Sequence, residues 1–385
     1  MARMTEPGDQ PLVGILGGGQ LAQMLAEAAA NLPARVRVLV KNRPAALPGL
    51  EDIVEGDAND PDTAAEFARG VDLVTLENEF VNPDALAAIE KTGTPLLPSL
   101  ASLLLMQDKW QQKKTLIQAG LPVTPCQAVE SADEVKEFAG KHAWPVVLKR
   151  RHMGYDGKGN ATVDDAGDLP DAWQKLHNQQ GLFVEAFCPF ERELAVMVAR
   201  SINGETAVYP VVETIQQHHI CHVVRAPAPI PQAVAAEAAR LALAAIEAID
   251  GIGVMGVELF QAKDGTILIN ELAPRVHNSG HYTIEGCHCS QFENHLRAIL
   301  GLPLGSTALS APAAVMVNLL GHGEGPGEPT GLVEARSVGG AHLHLYGKAS
   351  SMPGRKMGHV TALGETLEQA EAIARGAAQA LRFGG

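Results

Sequence analysis

The stretch VMGVELFQAKDGTILINELAPRVHNSGH, from Val254 to His281, decides how this chain folds and what it holds. Val254 to Phe260 and Thr266 to Asn270 read as two strands, and Asp264-Gly265 between them is a strong hairpin signal. With those two residues as the turn, Lys263 pairs with Thr266, and counting outward sets Phe260 opposite Ile269 and Glu258 opposite Glu271. Two carboxylates on one face repel, and one of them is driven to titrate high. A divalent cation removes the conflict. Magnesium in nucleotide sites takes such carboxylates together with phosphate oxygens, and Asn270 adds a neutral oxygen beside Glu271. A longer turn would slip the register and leave both glutamates solvated. The polar run Ala273 to His281 follows directly, projecting toward an acceptor substrate unless it is a plain surface loop.

Upstream, Pro145 to Lys149 reads as a strand entering the loop Gly154-Tyr155-Asp156-Gly157-Lys158-Gly159. Lys149 ends an apolar strand, where its ammonium meets phosphate oxygens, and the glycines leave N–H groups free to close over a polyphosphate. The alternative is a solvated glycine loop; no Walker ending is present. At the start of the chain, Leu12 to Leu16 reads as a buried strand, then Gly17-Gly18-Gly19-Gln20, then a helix carrying Leu21, Met24, Leu25 and Ala28. This turn is either an anion seat at a helix N-terminus or simply a close packing of helix on strand. A nicotinamide site would want an acid after the second strand, whereas Lys41-Asn42-Arg43 stands there.

Further strands are expected at Arg35 to Val40 and Leu73 to Leu76, with a helix at Pro83 to Lys91, giving an α/β domain with a mostly parallel sheet. A long helix is expected from about Ser102 to Ala119, and the first domain boundary on it. Gly181 to Phe187 reads as a strand, Val234 to Ile249 as a helix, and Gly321 to Gly331 as a loop near the start of a third segment. His342 to Tyr346 is a strand by alternation, and Thr366 with Gln369 makes a capping box for a final helix to Leu381.

A chain of 385 residues with 46% hydrophobic content fits two or three domains. Its net charge of -14 repels nucleic acid and anionic lipid, so a small phosphorylated substrate suits it better than a polymer. The polar start and the lack of any apolar run of about 18 residues point to the cytosol. Five cysteines do not read as a disulfide framework, and neither Cys287-His288-Cys289 nor His218 to His222 offers the two separated ligand pairs of a zinc site.

Read together, Lys149, Tyr155 to Gly159, Glu258 and the uninterrupted run Ile269 to His281 resemble the 5-(carboxyamino)imidazole ribonucleotide synthetases. The resemblance starts at Gly17-Gly18-Gly19-Gln20-Leu21 and continues to Pro353 to His359. It implies an ATP-grasp architecture of α/β and α+β type: an N-terminal doubly wound domain at 1–108, an ATP-grasp domain at 109–305 with a mobile lid at about 120–188, and a small C-terminal domain at 306–385. It also implies a homodimer acting in purine synthesis on ATP, bicarbonate and aminoimidazole ribonucleotide. Carried across, the nucleotide contacts are Lys109, Lys149, Gly154, Tyr155, Gly157, Lys158, Gly159, Glu185, Phe187, Glu193, Gln216 and Asn270. The magnesium ligands are Glu258 and Glu271. Ribonucleotide or intermediate contacts are Gln20, Leu21, Glu77, Tyr155, Asp156, Lys158, Arg275, His277, Asn278, Lys348 and Arg355, with Asp156, Arg275 and Lys348 in catalytic roles. Thr75-Leu76-Glu77-Asn78-Glu79-Phe80 departs from the family's usual Thr-Tyr-Glu-Phe-Glu, and Lys109 stands where many members carry Arg. The resemblance sets this reading against three others: a formate-using transformylase of the same fold, a nicotinamide oxidoreductase that needs no magnesium, and a non-catalytic nucleotide sensor.

Overall fold

Four of the five residues from Leu12 to Leu16 are apolar and all five are buried, which suits only a strand covered on both faces. The structure, a computed structural model, describes residues 10–42, 50, 52–154, 159–177 and 180–384. Leu12–Leu16 lies between Arg35–Val40 and Leu73–Leu76 in a four-stranded parallel sheet, with Asp52–Glu55 outermost. Helix Gln20–Ala29 leaves the glycine turn and buries Leu21, Met24, Leu25 and Ala28. The strands at 35–40 and 73–76 and the helix Pro83–Lys91 have the expected bounds.

The expected helix from Ser102 to Ala119 is two helices, Leu100–Gln107 and Lys109–Gln118. Asp108 breaks it. Its backbone is extended (φ −101°, ψ 100°) and its carboxylate accepts from the N–H groups of Trp110 and Gln111, the behaviour of an N-cap residue. The same carboxylate is gripped by Arg151, beyond the end of the strand Val146–Arg150.

That strand belongs to a four-stranded antiparallel sheet in the order Cys126–Val129, Leu182–Ala186, Val146–Arg150, Asn160–Val163. Val135, Phe138, Leu169 and Leu176 from two helices pack with Val146, Leu148, Val163 and Val184 into a core of its own. The larger sheet runs Ile267–Ala273, Gly253–Ala262, Phe190–Arg200, Val212–Gln217, Ile220–Ala226, Ala313–Leu320, Lys356–Gly364, Ala341–Leu345, with Thr206–Val208 added beside Phe190–Arg200. Helix Gln232–Ala248, which starts two residues before Val234, sets Leu241, Ala245 and Ile246 against Val196, Val257 and Ile269. The C-terminal segment has a sheet continuous with the centre, because Ala313–Leu320 pairs directly with Ile220–Ala226. Its last helix, Leu367–Ala380, opens on Thr366, whose hydroxyl accepts from Gln369 N–H. Among the described residues no helix is long and apolar enough to cross a membrane.

The hairpin of Gly253–Ala262 and Ile267–Ala273 reaches the expected Glu258–Glu271 pairing by a different route. Its loop has three residues, Lys263-Asp264-Gly265, closed by Ala262 N–H on Thr266 O at 2.9 Å, so Phe260 faces Leu268 rather than Ile269. Gly265 takes φ +85°, the left-handed position such a loop needs. A bulge then restores the count: Glu258 faces Glu271 while Leu259 faces Ile269, leaving Asn270 as the extra residue.

Candidate functional site

The bulge turns Asn270 out of the ladder beside the two opposed glutamates. Its side-chain oxygen is buried without a hydrogen-bond partner, an open acceptor next to a carboxylate pair. Burial, together with the Glu271 and Glu193 carboxylates, pushes the Glu258 carboxyl up to about 7. Two facing carboxylates and a neutral oxygen form a hard-oxygen donor set that fits magnesium. Cations line the same cleft. Lys109 donates to Glu271 at 2.5 Å, and Lys149 meets Glu185 Oε2 at 2.5 Å. Burial would lower the Lys149 ammonium, but Glu185 outweighs it and holds it above its ordinary value.

Of the other residues expected at a nucleotide, Glu193 is raised by burial against a hydrogen bond from Gln216, so those two meet. Phe187 lies just past the strand Leu182–Ala186 with 44% of its surface exposed. Gly154 and Gly159 are in van der Waals proximity: a side chain on Gly159 would come 3.2 Å from the Gly154 Cα. Arg150 N–H donates to Gly159 O at 2.8 Å, closing the base of that loop. Tyr155, Asp156, Gly157 and Lys158 lie outside the described residues.

A second group converges from the parallel sheet. Glu77, one residue past Leu73–Leu76, accepts from Gly19 N–H at 2.8 Å and Ala22 N–H at 3.3 Å. The carboxylate in the glycine-turn seat is therefore the chain's own, where the partial positive charge of a helix N-terminus favours it. A side chain at Gly17 or Gly19 would collide with it. Burial raises the Glu77 carboxyl against those two N–H groups, Arg275 and Lys348. Gln20 begins the helix, and Leu21 turns its side chain into the apolar core. Arg275 makes a two-pronged pair with Glu79, at 2.5 and 3.2 Å. Burial would raise Glu79, yet Arg275 holds it below its ordinary value.

His277 Nε2 is 3.4 Å from Glu258 Oε1, and its Nδ1 is 2.7 Å from Ser279 Oγ. Burial, then Arg275 and Lys356, push the imidazole down to about 3, so it is neutral at physiological pH. Gln291 spans its backbone, accepting from His277 N–H at 2.9 Å and donating to His277 O at 2.7 Å. Asn278 exchanges amide hydrogen bonds with Asn318. Lys348 rides 5.8 Å over the Tyr346 ring, and Arg355 hydrogen-bonds within its own loop to Ser350. Sequence reasoning missed Glu79, Gln291 and Lys356. Lys356 carried a signal, since it lies inside the Pro353 to His359 run.

Three family models match along the chain: the ribonucleotide synthetase preATP-grasp domain at residues 11–107, the ATP-grasp domain at 114–292, and the phosphoribosylaminoimidazole carboxylase C-terminal domain at 314–373. The N5-carboxyaminoimidazole ribonucleotide synthase of Synechococcus elongatus is 44% identical over 354 residues, 91% of this chain and 88% of that one. The chain belongs to the N5-carboxyaminoimidazole ribonucleotide synthetase family of ATP-grasp ligases. The family member from Aspergillus clavatus, crystallised with ADP and 5-aminoimidazole ribonucleotide, shares 34% identity and a TM-score of 0.87, with 96% of this chain and 98% of that one covered. The phosphoribosylaminoimidazole carboxylase of Ogataea methanolica is 43% identical over 94% of this chain but 68% of its own length, so the chain spans about two thirds of that longer relative.

Proposed function

We propose that this chain carries out the ATP-dependent carboxylation of 5-aminoimidazole ribonucleotide in purine biosynthesis. A bicarbonate oxygen attacks the γ-phosphorus of ATP and ADP leaves. The resulting carboxyphosphate breaks down to carbon dioxide and phosphate, and the exocyclic amine attacks the carbon dioxide to give a carbamate with loss of a proton. The observation that carries this reading is Glu258 facing Glu271 across the bulged hairpin, with the open Asn270 oxygen beside them and Lys109 and Lys149 on the same cleft.

Glu258, Glu271 and Asn270 would hold magnesium, which when bound neutralises charge on the nucleotide phosphates. Lys109 and Lys149 spread the charge of the transferring phosphoryl group. Arg275, oriented by Glu79, and Lys348, near Glu77, hold anionic parts of the ribonucleotide or of carboxyphosphate in line. The neutral His277 presents its ring beside Glu258 without adding charge. Asp156 has the role of orienting the attacking amine. Glu185, Phe187, Glu193 and Gln216 contact the nucleotide, and Gln20, Leu21, Asn278 and Arg355 complete the ribonucleotide side. The segments 1–108, 109–305 and 306–385 act as the three domains of a cytoplasmic homodimer.

Phosphate and ADP release with bicarbonate and magnesium, with and without 5-aminoimidazole ribonucleotide, tests the assignment. Stimulation by that ribonucleotide and none by glycinamide ribonucleotide is expected. Equal stimulation by formate and glycinamide ribonucleotide would move the chain to another ATP-grasp activity. Light scattering in solution tests the dimer.

A further inference from the structure

Lys113 has none of the roles given above, yet only 3% of its side chain is exposed. Its ammonium lies 2.9 Å from Glu185 Oε1, while Lys149 takes Oε2 of the same carboxylate at 2.5 Å. A further contact runs from Lys113 Nζ to the Ile269 carbonyl at 3.2 Å. Glu185 belongs to the small sheet, Ile269 to the large one, and Lys113 to the helix Lys109–Gln118. One buried carboxylate therefore carries two ammoniums. A single lysine would neutralise it, and enclosing a second positive charge is costly unless that charge has work to do.

The cost makes sense in a site where Lys149 changes partner. An ammonium that serves a polyphosphate has to loosen its hold on Glu185, and a buried carboxylate left without a cation would oppose that step. We infer that Lys113 is a positioning residue for the nucleotide: it remains on Glu185 as a resident counter-ion, frees Lys149 to turn to the phosphates, and ties the two sheets of the cleft together through Ile269. The inference rests on the reading of Lys149 as a phosphate contact.

Steady-state kinetics of the full chain test it, varying ATP at saturating bicarbonate and ribonucleotide, then varying the ribonucleotide at saturating ATP. Lys113→Gln keeps an N–H donor for Ile269 and removes the charge. Its KM for ATP rises about tenfold or more while the KM for the ribonucleotide stays within about twofold. Lys113→Arg keeps the charge and holds the KM for ATP within about threefold of the parent. An unchanged KM for ATP in Lys113→Gln, or an equal rise for both substrates, overturns the inference. So does a tenfold rise in Lys113→Arg, which decides the matter even where the glutamine variant does not fold. Lys149→Met separates the two levels: if it leaves ATP use unchanged, the phosphate reading of Lys149 fails; if it impairs ATP use and Lys113→Gln does not, only the role of Lys113 fails.

Discussion

Because Glu258 is buried, and shares its cleft with Glu271 and Glu193, its carboxyl is raised from 4.5 to about 7. A carboxyl raised by folding stabilises the folded chain while protonated. That contribution is full below 4.5 and is lost as the pH climbs through about 7. A bound cation reverses the preference by favouring the ionised form. The rise in thermal midpoint given by magnesium and ATP is therefore expected to grow from pH 5.5 to pH 8. Glu258→Gln removes that growth and lowers turnover by about two to three orders of magnitude. A midpoint gain independent of pH would take Glu258 out of cation binding. Arg275 sets a different problem. Glu79→Gln leaves its enclosed guanidinium short of a counter-charge, and urea unfolding is expected to show a loss of about 3 kcal/mol. A loss below about 1 kcal/mol would show that the other carboxylates near Arg275 suffice. Glu258 and Glu271 were legible because both stand at countable distances from one turn. Glu79 and Lys113 were not: Glu79 meets Arg275 across 196 residues and Lys113 meets Ile269 across 156, separations on which local spacing is silent.

At the scale of the element, the hairpin's pairing was read correctly from an incorrect turn. The loop is one residue longer than Asp264-Gly265 implied, and the bulge at Asn270 makes up the difference. The two irregularities are not equivalent. Deleting Lys263 leaves a two-residue connection between Ala262 and Thr266, a common hairpin closure, and no pairing beyond it has to move. Deleting Asn270 closes the bulge into a regular ladder that keeps Leu259 on Ile269 and Glu258 on Glu271, but it removes the neutral oxygen beside the two carboxylates. Magnesium-dependent ADP formation is expected to persist in the first deletion and to fall in the second through loss of that oxygen donor; an equal loss in both would mean that the loop, not the Asn270 oxygen, is what the site needs. The helix broken at Asp108 teaches a related lesson. Apolar spacing ran on through it, and the signal that ended the first helix was one capping carboxylate with a tertiary partner, Arg151.

For the whole molecule, the parallel opening domain was legible because its central strand is apolar at four of five positions and its glycine turn is unmistakable. The continuity of the large sheet was not. The run AAVMVNLL at Ala313–Leu320 fits a buried strand or a buried helix equally well, and only its neighbours choose. Ending the chain at Gly305 would strip Ile220–Ala226 of one of its two neighbouring strands and uncover Val223. That fragment is expected to be insoluble, and co-expression with residues 306–385 is expected to recover it in the soluble fraction. A soluble 1–305 chain that binds ATP would refute the dependence. The same strand order imposes a timetable on synthesis. The ATP-binding half leaves the ribosome well before the strand that covers its flank, so the nascent chain carries a bare, sticky edge until its final fifth emerges. Growing polypeptides of this family should thus be most in need of chaperones late in translation, after the nucleotide cleft has already taken shape.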